Sequence, residues 1–248
     1  MPEHRIKAVV FDLGETLLMF GRVDTRKLFR QAARLTYDFL RDCSQPVPNF
    51  WLYEWHNFFA VRWRYWLSNR TGNDFDSLEL LKKINRKYGV ELEDEQWEKL
   101  VQLWYEPLKR CGTAESDIVE TLGKLKSAGL KFGIVSNTFV NRCCLEQHLA
   151  DVGILDFFDA ILFSYEFTFR KPDPRIFIKA ADALQVRLPE IVFVGDRIDN
   201  DIKPALFLDM IPVLKTAYTN TNKTTPKNTH RINHLSELPA LIEQLSSQ

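Results

Sequence analysis

At 248 residues, with hydrophobic side chains at 45% and charged ones at 27%, the chain can pack one large domain or a core with a smaller companion. Lys+Arg 33 balances Asp+Glu 33, which excludes both the basic excess that nucleic acid attracts and the acidic excess of a solvating tail. No apolar run approaches the roughly 20 residues of a spanning helix, so neither a nucleic-acid nor a membrane partner is expected.

The first seven residues are polar and charged, unlike a signal peptide. A short β-branched run follows, predicting a strand over residues 6–11 that ends on Asp12. Residues 25–110 then read as helices only. Leu28, Ala32, Leu35 and Phe39 recur at helical spacing, as do Trp51, Trp55, Phe59, Arg62 and Trp66. Leu78, Leu81 and Ile84 mark a third helix, and Trp97, Leu100, Val101 and Trp104 a fourth. Four helices with short connections predict a small bundle, with most of its tryptophans in the bundle core and Arg62 snorkelling out of its face.

After Gly112 the pattern becomes alternating. A helix marked by Leu122 and Leu125 leads to a strand over residues 131–136, ending on Ser136. A helix over 140–151, a strand over 160–164 and a helix over 174–184 follow. The next strand, 191–194, runs through Gly195 into Asp196. A helix over 200–208, a strand over 211–214, a polar surface loop over 216–229, an edge strand over 232–235 and a closing helix over 238–245 complete the chain. Short unbroken apolar runs are strands buried on both faces, as in parallel sheets covered by helices. The expected fold is therefore α/β: a doubly wound, Rossmann-like parallel-sheet core formed by residues 1–20 and 111–248, with a helical-bundle domain of residues 21–110 inserted after the first strand. Cys43, Cys111, Cys143 and Cys144 are sparse and lack metal-ligand spacing; reduced thiols and a cytoplasmic location are expected.

Ligands of open parallel sheets sit beyond the carboxyl ends of the strands. Strands that stop on Asp12, Ser136 and Asp196 aim two carboxylates and a hydroxyl at one crevice, and Lys171 lies in the segment between the last two. That set suits a divalent metal and a phosphate.

The motifs Phe11-Asp12-Leu13-Gly14-Glu15-Thr16-Leu17, Val135-Ser136-Asn137, Lys171-Pro172-Asp173-Pro174 and Gly195-Asp196-Arg197-Ile198-Asp199-Asn200-Asp201 stand in the order and at the strand ends seen in the haloacid dehalogenase-like (HAD) hydrolase superfamily, which the chain resembles over nearly its whole length. The resemblance implies a Mg2+-dependent phosphatase of a small phosphorylated metabolite, working through an aspartyl-phosphate on Asp12. It implies Lys171 as the fixed positive charge, with Thr16, Ser136 and Asn137 as further phosphate contacts. It implies Asp12, Gly14 (through its carbonyl), Asp196 and Asp201 as the Mg2+ site, and the inserted helices as a cap that closes over the site. Asp199 reads as a solvated loop carboxylate.

One departure matters. Most phosphatases of the family carry a second Asp, the general acid and base, two residues after the nucleophile; this chain has Gly14 there, as some members have a small residue. Glu15 is a minor candidate to replace it. Two other readings stand beside the phosphatase: a metal-independent dehalogenase of the same superfamily, and a catalytically weak or inactive member that binds a phosphorylated ligand.

Overall fold

A computed structural model describes residues 6–247; residues 1–5 of the expected core segment and Gln248 lie outside the described residues. Its centre is a six-stranded, all-parallel sheet in the order β3-β2-β1-β4-β5-β6. The strands are β1 (Ala8–Phe11), β2 (Lys131–Ser136), β3 (Ala160–Phe163), β4 (Ile191–Gly195), β5 (Ile211–Lys215) and β6 (His230–Ile232). Between β1 and β2 come α1 (Thr25–Asp42), α2 (Phe50–Thr71), α3 (Ser77–Arg86), α4 (Asp94–Lys109) and α5 (Ile118–Ser127). Then α6 (Arg142–Asp151), α7 (Pro174–Leu184) and α8 (Lys203–Phe207) alternate with the strands from β2 to β5, and α9 (Leu238–Ser246) follows β6.

Every residue of β1 and β4 is buried, because helices cover both sides. Val9 and Phe11 point into one apolar cluster with Leu122 of α5, Leu145 of α6 and Ile242 of α9. Their neighbours Ala8 and Val10 point the other way, into a second cluster with Phe177 of α7 and Ala205 of α8. The period-2 alternation of a strand thus feeds two layers, and the core is doubly wound. The first cluster runs on into the helical insert through Trp97, Leu100 and Val101 of α4.

Local chemistry sets the helix starts. Asp24, Asn49, Asp76, Asn141 and Asp173 each accept a hydrogen bond from a backbone N–H in the first turn of α1, α2, α3, α6 and α7. Pro174 stands just inside α7, where its missing N–H costs nothing.

Three expectations need correction. The last strand is His230–Ile232, not residues 232–235; its register pairs Val213 with His230, and the chain then turns into α9 through a short 3-10 turn at Leu235–Glu237. The helix expected over 200–208 is a π-turn at Ile198–Ile202 followed by the short α8. The tryptophans do not fill the bundle: Trp97 and Trp104 are buried, whereas Trp51, Trp63 and Trp66 are exposed. The buried face of α2 is Tyr53, Asn57, Val61 and Ser68. Arg62 is exposed, and its guanidinium lies 5.5 Å from the Phe58 ring. The four cysteines are unpaired, and among the described residues no helix is long and apolar enough to cross a membrane.

Candidate active site

Strand register builds the site. Phe11 pairs with Ile134 on one side and with Val194 on the other. Asp12 is therefore level with Val135 and Gly195, one residue short of Ser136 and Asp196. Three strand ends deliver their side chains to one edge of the sheet, as the sequence pattern implied. The loop between β3 and α7 brings Lys171 to the same point, and the π-turn after β4 brings Asp201. They border a cavity of about 280 Å³ lined by Asp12, Gly14, Ser136, Asn137, Lys171 and Asp196, with Asp201 and Thr219 beside them.

Lys171 is the hub. Its ammonium lies 2.5 Å from Asp12 Oδ1 and 2.7 Å from Asp201 Oδ1, and only 2% of the residue is exposed. Burial works to strip its proton, but the carboxylates of Asp12 and Asp201 outweigh that and hold its pKa above the ordinary value. The Asn137 side chain grips the Lys171 backbone at both ends: Nδ2 donates to the Lys171 carbonyl at 2.7 Å, and the Lys171 N–H donates to Oδ1 at 2.9 Å. Asn137 thus positions Lys171 with its side chain.

The carboxylates are crowded. Oxygen atoms of Asp12, Asp196 and Asp201 lie within 4.8 Å of one another. Burial pushes Asp12 up from its usual value, and it pushes Asp196 and Asp201 up to about 6 each. Three buried carboxylates face one ammonium, so the site holds more negative charge than it compensates. Asp201 Oδ1 is buried and, despite its ionic contact with Lys171, has no aligned hydrogen bond. Clustered oxygen donors and excess negative charge fit a hard divalent cation such as Mg2+.

The neighbouring residues take different parts. Ser136 is buried at the end of β2 and borders the cavity. Thr16 is fully buried and absent from the cavity wall; its hydroxyl reaches Asp12 Oδ2 at 3.4 Å, so it contacts the carboxylate from behind. Gly14 borders the cavity, and a side chain added there would meet nothing within 4 Å. Glu15 also borders the cavity, and its Oε1 accepts from the Phe20 and Gly21 N–H groups at 2.9 Å each. Asp199 is exposed and paired with Lys203 at 2.6 Å. Gly195 permits the packing of Asp201, since a Cβ there would lie 2.6 Å from the Asp201 side chain.

Two site residues escape sequence reading altogether. Thr219 donates its hydroxyl to Asp196 Oδ2. Asn220, 1% exposed, donates to the Asp196 carbonyl and to the Lys215 carbonyl at 2.8 Å each. Both belong to the Thr-, Asn- and Lys-rich stretch read as a surface loop. Nothing in its composition distinguishes them; only the fold brings them back, 23 and 24 residues on, against Asp196.

A family model described as haloacid dehalogenase-like hydrolase matches residues 6–207. A glyceraldehyde 3-phosphate phosphatase from Methanocaldococcus jannaschii is 35% identical over 129 residues, 51% of this chain and 55% of that protein. The chain thus spans about half the length of the first curated relatives it matches. The (S)-2-haloacid dehalogenase 1 of Pseudomonas sp. strain CBS-3 is 27% identical over 97% of this chain and 98% of that one. Among solved structures, a HAD phosphatase from Thermococcus onnurineus aligns with a TM-score of 0.57 at 23% identity, covering 96% of this chain and 98% of the other. At that identity the likeness speaks to the fold.

Proposed function

The chain belongs to the haloacid dehalogenase-like hydrolases, and we propose that it is a Mg2+-dependent phosphatase of a small phosphorylated substrate, with Asp12 as nucleophile. The observation that carries this reading is the imbalance of three buried carboxylates against one lysine in a single cavity. A haloacid site, whose chemistry needs no metal, would leave Asp196 without a cation to bind, whereas Asp201 holds Lys171 at 2.7 Å under either reading.

In this reading an Asp12 carboxylate oxygen attacks phosphorus, the bond from phosphorus to the leaving oxygen breaks, and an aspartyl-phosphate forms. Water then attacks the same phosphorus, the acyl–phosphate bond breaks, and Asp12 and inorganic phosphate are regenerated. Lys171 offsets the repulsion between carboxylate and phosphate, Asn137 holds Lys171, and Ser136 borders the cavity where the phosphoryl oxygens would lie. Mg2+, held by Asp12 and Asp196 with Asp201 close by and the Gly14 carbonyl as a further ligand, would stabilise the charge that develops on those oxygens. Residues 21–110 serve as the cap over this cavity, and residues 1–20 with 111–248 as the catalytic core.

The test is phosphate release from acetyl phosphate or 4-nitrophenyl phosphate with and without Mg2+. Turnover that needs the metal and is lost in Asp12→Asn supports the reading. Halide release from a 2-haloacid without Mg2+ would transfer the chain to the dehalogenases. Ligand binding without turnover of either kind would leave the inactive-member reading.

A further inference from the structure

A second cavity lies beside the catalytic one. Its volume is about 170 Å³, and Leu28 and Phe29 of α1, Trp104 and Leu108 of α4, and Phe139 and Val140 of the segment after β2 form most of its wall. The rings are set edge-on to tilted: Phe29 to Trp104 at 6.0 Å between centroids, Trp104 to Phe139 at 6.3 Å. Tyr105, Leu108 and Val140 border both cavities, so the two adjoin at these residues. Tyr105 is held there by the hydrogen bond between its hydroxyl and His148 Nδ1 at 2.9 Å.

We propose that this aromatic-walled cavity receives the leaving group of the substrate, and that the substrate is an aryl phosphate, or one of similarly apolar shape, in preference to a triose phosphate. The inference rests on the phosphatase reading above and goes further by naming the substrate class. Size supports it: the pocket, open to solvent on one side, has about 170 Å³, comparable with the about 150 Å³ of apolar space that takes up a benzene ring. Wall chemistry supports it too, because the hydroxyl and carbonyl groups of a triose would lose their water against Leu28, Phe29, Leu108 and Phe139 without replacement. The third support is independent of the cavity. Gly14 supplies no acid, and one carboxylate oxygen of the adjacent Glu15 is engaged by two backbone N–H groups, so the acid expected two residues after Asp12 is missing. A phenolate, whose conjugate acid has a pKa of about 10, leaves without that help far more readily than an alkoxide. A ring that fits the cavity is also a leaving group that spares the missing acid.

The experiment compares affinities of two non-hydrolysable probes, benzylphosphonate and methylphosphonate, by titration calorimetry on the whole chain in the presence of Mg2+. Burial of the ring should favour benzylphosphonate by about tenfold or more. Filling the cavity with Ala32→Phe, or placing a charge in its wall with Leu28→Asp, should bring that ratio close to one. A ratio near one in the parent protein, no binding of benzylphosphonate, or a ratio that survives in either folded variant overturns the proposal. The parent comparison decides even if both variants fail to fold. Turnover of acetyl phosphate is scored separately. Asp12-dependent turnover with a ratio near one rejects the apolar subsite and keeps the phosphatase, whereas a high ratio without any turnover keeps the subsite and rejects the phosphatase.

Discussion

Glu15 and Gly14 are adjacent and do opposite things. Glu15 has φ 59°, in the left-handed region that a side chain enters at a cost of about 1–2 kcal/mol. Its two hydrogen bonds to the turn that leads toward α1 offset that cost. Gly14 is open and carries no positive φ, so nothing in the backbone demands glycine there. Gly14→Asp should therefore fold. It should raise the turnover of alkyl phosphates by up to roughly 10²–10⁴-fold, the usual contribution of a positioned acid, while changing that of aryl phosphates much less. Steady-state rates across a series of leaving groups check this; a parent rate that is flat across the series would point to a donor elsewhere. Gly195 is the opposite case. The Cβ of Gly195→Ala would overlap the Asp201 side chain at 2.6 Å, so that carboxylate must move. Overpacking of this kind costs about 1–3 kcal/mol. A lowered denaturation midpoint together with weaker Mg2+ binding, read by calorimetry, is the expected result.

At the scale of elements, α2 shows where periodicity misleads. It is aromatic on nearly all sides, so its spacing marks a helix without saying which face turns inward. Packing chooses the face that permits close approach: Tyr53 reaches Thr36 of α1 through its hydroxyl at 2.9 Å, and Asn57 bonds back to the Tyr53 carbonyl. The larger rings are left outside, where they stack on one another, Trp55 on Phe59 at 4.7 Å and Trp63 on Trp66 at 5.0 Å. The link from α2 to α3 fastens these helices to the segments that follow β2 and β3. Asp74, with its side chain 4% exposed, accepts from Arg170 at 2.7 Å and from Ser164, while Asn141 donates to both oxygens of Asp76 at 2.9 Å. Arg170 adjoins Lys171, so this anchor sits one residue from the site. Asp74→Ala leaves the Arg170 guanidinium without its carboxylate and should cost about 3 kcal/mol. Asp74→Ala combined with Arg170→Met should recover part of that, measured by urea denaturation of the singles and the double.

At the scale of the whole molecule, α4 and α6 meet over His148. It is 3% exposed on α6, with Tyr105 of α4 on one ring nitrogen and Phe20 packed edge-on at 6.1 Å. Burial, and then the charge of Lys109, hold its pKa below 6.5. The sign follows from linkage: the folded state prefers the neutral ring. The stability this contributes is complete above about pH 6.5 and is lost as pH falls from there toward the folded pKa, with a slope of at most about 1.4 kcal/mol per pH unit. His148→Gln should flatten the stability profile between pH 7 and pH 5, as followed by thermal melts. What the sequence by itself determined is local. Buried β-branched runs are strands, residues recurring at helical spacing are helices, and Asp12, Ser136 and Asp196 fall at strand ends because a run stops there. These are short-range properties of the chain, so they can be read without the fold. Tertiary structure alone decided the rest. Register, not spacing, set the three strand ends within one residue of one another. Close packing, not hydrophobicity, turned Asn57 inward and Trp51, Trp63 and Trp66 outward. Chain return carried Thr219 and Asn220 to Asp196, and an apolar cavity arose where α1, α4 and the segment after β2 converge. Each is a relation between residues distant in the chain, fixed only when the elements dock.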